Sequence, residues 1–312
     1  MAIKTAIVVL NFRTPEMTIQ CLDSLSKHIT ANEKVLVVDN FSNDGSIEKI
    51  QKEMNYPWVT VMALGSNRGY AAGNNAAIKE ALAWPDPPKY VMILNPDTIA
   101  LDGAIQKLVE FMDEHPDVGI AGSQLQDPDG SRQHSSFRFP SISTELDGGF
   151  RLGFLSKLIS NRQIIRKFTD KPQRTDWVSG ASFFIRTTVL KEIGLLDEQF
   201  FLYFEEVDFC YRANLAGWQC WLIPDSKVIH FVGASTQVKY VEVKPKRRPD
   251  YWFNSRRRYF QKNYGRPYGC LADSAWMLGF SVWRVRRVLQ GKPDNDPPHM
   301  LWDFFRHSAF FN

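Results

Sequence analysis

No apolar run in the sequence reaches the roughly 18 residues that a membrane-spanning helix needs, so nothing in it reads as a transmembrane segment. Cysteine is sparse. Cys21, Cys210, Cys220 and Cys270 form no CxxC pair and have no zinc-like spacing, which argues against a disulfide framework or a cysteine-based metal site and suits a reducing compartment. The amino terminus enters a strand pattern at AIKTAIVVL without the basic, apolar and cleavage-site order of a signal peptide, so a cytoplasmic protein with at most peripheral membrane contact is expected. Internal repeats and low-complexity segments are also missing. What is present, 312 residues with 44% hydrophobic and 23% charged side chains, is the composition of a folded chain with a sizeable core.

The formal net charge is only +4, but it is uneven. From Lys239 to Asn312 there are 15 Lys or Arg against 6 Asp or Glu, so this tail carries +9 and the rest of the chain 4 − 9 = −5. An acidic body with a basic tail suggests two different partners.

The first half alternates strands and helices. Apolar runs at Thr5 to Leu10, Val35 to Val38, Trp58 to Ala63, Val91 to Leu94 and Val118 to Gly122 read as strands. Helical stretches fall at Pro15 to Ile29, Ser46 to Met54, after Asn67, and at Gly103 to Glu114. This alternation implies an α/β fold with a mostly parallel sheet covered by helices on both faces. After Pro128 the pattern weakens, and Ser141 to Thr175 has no clear period and reads as a variable excursion. Trp177 to Arg186 is strand-like with a glycine break, Thr187 to Ile193 and Glu205 to Ala216 read as helices, and Cys220 to Ile223 and Lys227 to Phe231 as two short strands.

Three strands end in polar residues: Asn11 after the first, Asp39 after the second, and Asn95 and Asp97 in LNPDT after the Val91 to Leu94 run. In a parallel sheet such ends converge on the edge where ligands bind. Each of them is also a common turn former. The stretch Asn67 to Ala77, NRGYAAGNNAA, is not a GxGxxG fingerprint. Its Gly69, Gly73, Asn74 and Asn75 suit either a ligand approaching the backbone at a helix start or a plain helix lead-in. FLYFEEVDFCYR puts Glu205, Glu206 and Asp208 at a helix start, where the helix dipole alone favours acids, but its aromatic flank should raise a carboxyl pKa toward the range of a general base. His230, after a short strand, is either a metal ligand or a structural histidine.

Taken in order, AIVVLNFR, VVDNFSNDGS, NRGYAAGNN, ILNPDT, VSGASFFIR, FLYFEEVDFCYR and VIHFVGAS resemble a family 2 glycosyltransferase of the GT-A fold, most closely the bacterial rhamnosyltransferase-like members that build surface polysaccharides. The resemblance covers residues 3 to 235. It implies that Asn11, Arg13 and Asp39 lie around the base and ribose of a nucleotide diphosphate sugar. By the same resemblance Asn67, Gly69, Gly73 and Asn74 line the nucleotide and diphosphate side, and Gly180 and Ala181 face the acceptor or donor sugar. Asp97 matches the metal-binding carboxylate of the family's DxD motif, which reads NPD here, so Asn95 stands where the first acid would. His230 matches a position that can supply a second metal ligand, and the cation would be Mg²⁺ or Mn²⁺. Glu206 stands where the catalytic base sits, with Glu205 and Asp208 as alternatives.

The expected activity is an inverting, metal-assisted transfer of a sugar, rhamnose among the options, from a dTDP- or UDP-sugar to a glycan or lipid-linked acceptor. Single displacement needs one base, whereas a retaining double displacement would want a second carboxylate as nucleophile. A sugar nucleotidyltransferase fits less well, because NFRTPEM after the first strand is not a glycine-rich, basic triphosphate loop. A catalytically silent nucleotide-sugar-binding protein is the remaining alternative, favoured by NPD in place of the family's DxD and by the EE pair, Glu205 and Glu206, in place of its usual ED.

Domain boundaries are expected at 1–238 for the catalytic unit, with a nucleotide-sugar half at 1–125 and an acceptor half at 126–238, and at 239–312 for a basic, aromatic helical extension. Basic residues among aromatics suit nucleic acid or anionic lipid. Lipid is preferred and nucleic acid is not expected. Cys270 to Leu289 sets Leu271, Trp276, Met277, Leu278, Phe280, Val282 and Trp283 beside Arg284, Arg286 and Arg287, which suits either a helix lying in a membrane interface or one packed on the catalytic domain.

Overall fold

A computed structural model describes residues 3–54, 56–151, 164–231 and 245–311. Strands β1 (Thr5–Asn11), β2 (Glu33–Asp39), β3 (Val59–Ala63) and β4 (Tyr90–Leu94) alternate with helices α1 (Pro15–Ser26), α2 (Ser46–Glu53) and α3 (Tyr70–Leu82). Next come β5 (Thr98–Ala100), α4 (Ala104–Glu114), β6 (Val118–Gln126), β7 (Ser136–Phe137), α5 (Ile142–Phe150), β8 (Gln173–Thr175), β9 (Trp177–Val178) and β10 (Ser182–Arg186). The remainder is α6 (Thr187–Ile193), α7 (Glu205–Leu215), β11 (Gln219–His230), α8 (Asp250–Tyr264), α9 (Arg266–Leu289) and α10 (Met300–Arg306).

One nine-stranded sheet runs β3-β2-β1-β4-β10-β6-β11-β5, with β8 pairing to β11. β1 to β4 are mutually parallel, β10 is antiparallel to both β4 and β6, and β6 is parallel to β11. Every residue of β1 and β4 is buried, as expected of strands covered on both faces. Ile7, Val9, Val37 and Met92 meet Leu22 and Leu25 of α1 and Leu108 of α4 on one face. Ala6, Val8, Leu36 and Ile93 meet Ala77 and Ile78 of α3 and Phe209 of α7 on the other. The parallel register places Asn11 beside Asp39 at the carboxyl edge of the sheet, and β4 ends on the same edge.

One expectation about the strands needs correcting, and two about the domains bear on the same region. The two short strands after Cys220 are a single strand, β11, whose register shifts between Ile223 and Lys227, where Pro224 cannot donate to the ladder. The two expected halves, 1–125 and 126–238, share one sheet, since β10 and β11 flank β6. The expected boundary at 238/239 lies outside the described residues.

The Ser141 to Thr175 stretch is not featureless in its described part. Ser141 caps α5 through a reciprocal box with Thr144, and α5 packs on α9 at a glycine contact. A Cβ on Gly149 would stand 2.6 Å from the Trp276 carbonyl oxygen, and one on Gly279 would stand 2.8 Å from that of Leu146. The two glycines are what let these helix backbones touch.

Part of the charge split between body and tail is met by ion pairs inside the molecule, and other tail arginines are paired within the tail. Arg258 and Lys262 of α8 pair with Asp197 at 2.6 and 2.8 Å, and Lys262 also reaches Asp208 at 2.8 Å. Arg256, 4% exposed, bridges Glu145 of α5 and Asp273 of α9. Arg284 and Arg287 pair with Asp294, and Arg286 donates to the Phe150 and Arg151 carbonyls. Trp276 and Phe280, which suited either a membrane interface or packing on the protein, are buried against Phe253, Met300 and Phe304. Among the described residues no helix is long and apolar enough to cross a membrane.

Candidate active site

At the ends of β1 and β2, Asn11 is fully buried and its amide donates to Asp39 Oδ1 at 2.7 Å, while its own Oδ1 accepts from Thr18 Oγ1 at 2.9 Å. Asp39 also accepts from the backbone N–H and hydroxyl of Ser42, at 2.9 and 2.5 Å, which closes an Asx turn over residues 39–42. Asp39 is thus held in place by Asn11 and Ser42. The turn turns Phe41 outward, at φ +63° and 40% exposed; Phe12, after the neighbouring strand, is 37% exposed and lies 5.1 Å beneath the Arg13 guanidinium. Sequence reasoning missed both aromatics. The signal was an Asn-Phe doublet closing each strand, VLNF and VDNF.

Asn40 was missed as well. Its amide donates to Asn67 Oδ1 at 3.0 Å and to the Gly69 carbonyl at 3.3 Å, which joins the β2 turn to the start of α3. Asn40 Oδ1 is buried with no hydrogen-bond partner, as is Asn74 Oδ1. Buried acceptors of this kind are ready for a ligand donor. Gly69 has φ +94°, and a Cβ there would fall 2.3 Å from the Phe201 carbonyl oxygen. A Cβ on Gly73 would fall 2.5 Å from Leu10 Cδ1, so Gly73 serves close packing of α3 on β1.

Asn95 and Asp97 follow β4. Tyr70 Oη lies 2.8 Å from Asn95 Oδ1 and 3.1 Å from the Gly180 carbonyl oxygen, and shares its one hydrogen between them. Burial, then the charges of Glu205, Glu206 and Asp97, push the Tyr70 phenol well above its ordinary value, so it stays a neutral donor. Asp97 is 2% exposed, and its Oδ1 lies 3.6 Å from His230 Nε2. His230 Nδ1 is 3.2 Å from Gln133 Oε1, and the Gln133 amide donates to the His230 carbonyl at 2.7 Å and to Asp127 at 2.8 Å. That orientation makes Nδ1 the protonated nitrogen and leaves the Nε2 lone pair facing Asp97. Burial lowers the imidazole pKa, which favours the neutral, ligating form.

Among the described residues no group of three or more His, Cys, Asp or Glu converges as a metal cage. The Asp97 and His230 pair fits a divalent ion that also takes ligands from substrate phosphates, since Mg²⁺ typically uses one or two carboxylates plus phosphate and water.

Glu205 and Glu206 open α7, and each has an Oε2 that is buried without a partner. Burial pushes Glu206 up to about 7, and burial plus the neighbouring Glu206 pushes Glu205 well above the usual carboxylate range. Glu206 faces the other strand ends across Gly180: a Cβ added there would lie 3.8 Å from its carboxyl carbon and 3.6 Å from Tyr70 Oη. Ala181, next to it, accepts from the Asn95 backbone N–H at 3.0 Å. Asp208 drops out as a base. It is fully buried and its oxygens are taken by Arg212 at 2.9 Å, Lys262 at 2.8 Å and Asn263 at 3.1 Å.

A family model described as Glycosyltransferase like family 2 matches residues 3–260. The chain belongs to glycosyltransferase family 2. A curated relative of this glycosyltransferase, the N-acetylglucosaminyl-diphospho-decaprenol L-rhamnosyltransferase of Mycobacterium tuberculosis, is 30% identical over 229 residues, covering 69% of this chain and 72% of the relative. Rhamnosyltransferase WbbL of Escherichia coli is 24% identical over 54% of this chain and 62% of its own. Among solved structures, the mannosyltransferase PcManGT from Pyrobaculum calidifontis, in complex with GDP-Man and Mn²⁺, aligns with a TM-score of 0.58 at 13% identity, over 99% of this chain and 86% of that one. Likeness at that identity is one of fold, and the fold of this glycosyltransferase is GT-A. The family match ends inside α8.

Proposed function

We propose that this glycosyltransferase moves a sugar, rhamnose being the one its mycobacterial and E. coli relatives are named for, from a dTDP- or UDP-sugar to a hydroxyl of a glycan or lipid-linked acceptor in cell-surface polysaccharide synthesis. The observation that carries the reading is Glu206, a carboxyl with a pKa of about 7 across Gly180 from the strand end bearing Asp97. A base poised near neutrality takes the acceptor proton as the hydroxyl attacks. Burial and the neighbouring Glu206 raise Glu205 well above the usual carboxylate range, which leaves Glu206 as the one base that inversion by a single step needs.

Phe12 and Phe41 stack on the donor base, and Arg13 and the Asp39 turn frame its ribose. The Asn67 to Asn74 segment faces the diphosphate, with the Asn40 and Asn74 amide oxygens accepting from the nucleotide. Asp97 and the oriented Nε2 of His230 hold Mg²⁺ or Mn²⁺, which when bound neutralises charge on the departing diphosphate. Tyr70 keeps Asn95 and the Gly180 carbonyl in place beside Glu206.

The enzyme works in the cytoplasm, at the inner face of the membrane. With its arginines paired internally, α9 offers lipid an exposed apolar stripe instead: Leu271, Leu278, Val282, Val285 and Leu289, next to Trp302 and Phe305 of α10. A thermal-shift screen of nucleotide diphosphate sugars with and without Mg²⁺ or Mn²⁺ tests the donor reading. A matched donor raises the melting temperature in a metal-dependent way. No shift with any of them would refute it.

A further inference from the structure

Between Phe200 and α7 the chain makes a strained turn. Tyr203 and Phe204 are consecutive non-glycine residues in the left-handed region, at φ +71° and +69°. Each such residue is strained, and strain of this kind persists where the surroundings hold it for a purpose. The surroundings here are specific: Tyr70 N–H donates to the Phe201 carbonyl at 2.7 Å, and Ser255 of α8 donates to the Leu202 carbonyl at 3.0 Å. The double left-handed turn sends neighbouring side chains opposite ways. Phe204 packs inward, 5.6 Å from the Tyr259 ring, while Tyr203 turns out and is 37% exposed, beside Phe201 at 41%.

Tyr251, from the first turn of α8, completes the surface. Its ring centroid lies 5.5 Å from that of Phe201 and 6.2 Å from that of Tyr203, the latter pair inclined by 30°. The exposed Phe201 and Tyr203 rings and the half-buried Tyr251 ring thus form one patch of aromatic surface with two phenolic hydroxyls, at the segment that leads into Glu205 and Glu206. Burial and the Tyr251 hydroxyl raise the Tyr203 phenol, with smaller contributions from Glu205 and Glu206, as expected of a group on the rim of the same site.

We propose that Phe201, Tyr203 and Tyr251 are the acceptor platform: the apolar C–H face of a pyranose ring of the acceptor packs on them, which presents its hydroxyl to Glu206. The proposal rests on the reading of Glu206 as the base. Aromatic rings with a polar edge suit a pyranose, which has an apolar face and a hydroxyl rim, and they offer large contact area with few rotatable bonds. The continuity with Glu206 is what selects an acceptor sugar over a lipid tail or a nucleobase. It also gives the segment after 245 a direct part in substrate binding, because Tyr251 is brought to the site by α8.

The test uses the full chain and an N-acetylglucosaminyl diphosphate carrying a short, water-soluble alkyl chain as acceptor, chosen for the mycobacterial relative's named substrate. Tyr251→Leu keeps apolar bulk and removes the π face, Tyr251→Trp restores it, and Tyr203→Ala probes the second ring without touching α8. The expected result is an acceptor KM raised about tenfold or more in Tyr251→Leu and Tyr203→Ala, as for truncation of a central aromatic contact. Tyr251→Trp stays within about threefold of wild type, and the melting-temperature rise caused by nucleoside diphosphate with metal is the same in all. Saturation-transfer NMR of the same acceptor on the same variants reads binding even without turnover. Wild-type contacts on the ring C–H protons disappear in Tyr251→Leu. Unchanged acceptor KM and unchanged NMR contacts, with or without a loss of liposome binding, would overturn the platform. Failure of wild type to consume any donor would instead count against the glycosyl-transfer reading.

Discussion

Replacing Glu206 by Gln separates catalysis from stability in a way that depends on pH. Burial raises this carboxyl from 4.5 to about 7. At about 1.36 kcal/mol per pH unit, carrying the charge in the folded state costs on the order of 3 kcal/mol. The folded protein binds a proton that the unfolded chain releases between pH 4.5 and 7, so this cost is absent below about 4.5, grows as pH rises, and is complete above about 7. Gln carries no charge, so Glu206→Gln matches wild type in melting temperature near pH 4.5 and exceeds it by roughly 5 °C at pH 8, using about 2 °C per kcal/mol for a chain of this size. Transfer falls by about 10² to 10⁴ in the same variant, and wild-type turnover rises with pH through about 7. Scanning calorimetry at several pH values beside single-turnover kinetics reads both. A stability difference that is flat with pH, or a variant less stable at pH 8, would refute the assignment of the raised carboxyl.

Asp97→Ala abolishes the metal-dependent part of donor binding, measured as the loss of the extra thermal shift that Mn²⁺ adds to a nucleoside diphosphate; an unchanged shift would return LNPDT to being a turn. Arg256→Ala leaves Glu145 and Asp273 without their shared cation in a buried site and destabilises by about 3 to 5 kcal/mol, seen as a lowered denaturant midpoint. Liposomes with anionic lipid float the full chain, and Leu278→Glu with Val285→Glu weakens flotation severalfold while extra salt has a smaller effect, because the contact is apolar rather than basic. Equal flotation of the double variant would count against the α9 stripe.

Much of the first 125 residues was legible because β-branched runs, turn residues and helical periods agree there: β1, β2, β4, α1 and α4 lie within a few residues of their expected positions. The convergence of Asn11, Asp39, Asn95 and Asp97 on one edge followed from the parallel order alone. What the pattern did not carry depends on partners distant in sequence. Asp208 looked like a third candidate base until Lys262 and Asn263 of α8 met it, and nothing in the basic tail's sequence marked Arg256 as the one that Glu145 and Asp273 enclose. Gln133 orients His230 from 97 residues away, with no local motif to mark it. Gly149 and Gly279 likewise show their purpose only when α5 and α9 are seen to touch.

The most direct test of the central claim, single-displacement transfer with Glu206 as base, is NMR of the anomeric configuration of the product formed from a defined nucleotide diphosphate sugar, run in parallel on wild type and Glu206→Gln. Inversion relative to the donor by wild type, with product formation slowed by about 10² or more in a Glu206→Gln variant that still binds donor, is the predicted outcome. A retained configuration, or full turnover by Glu206→Gln, would contradict it.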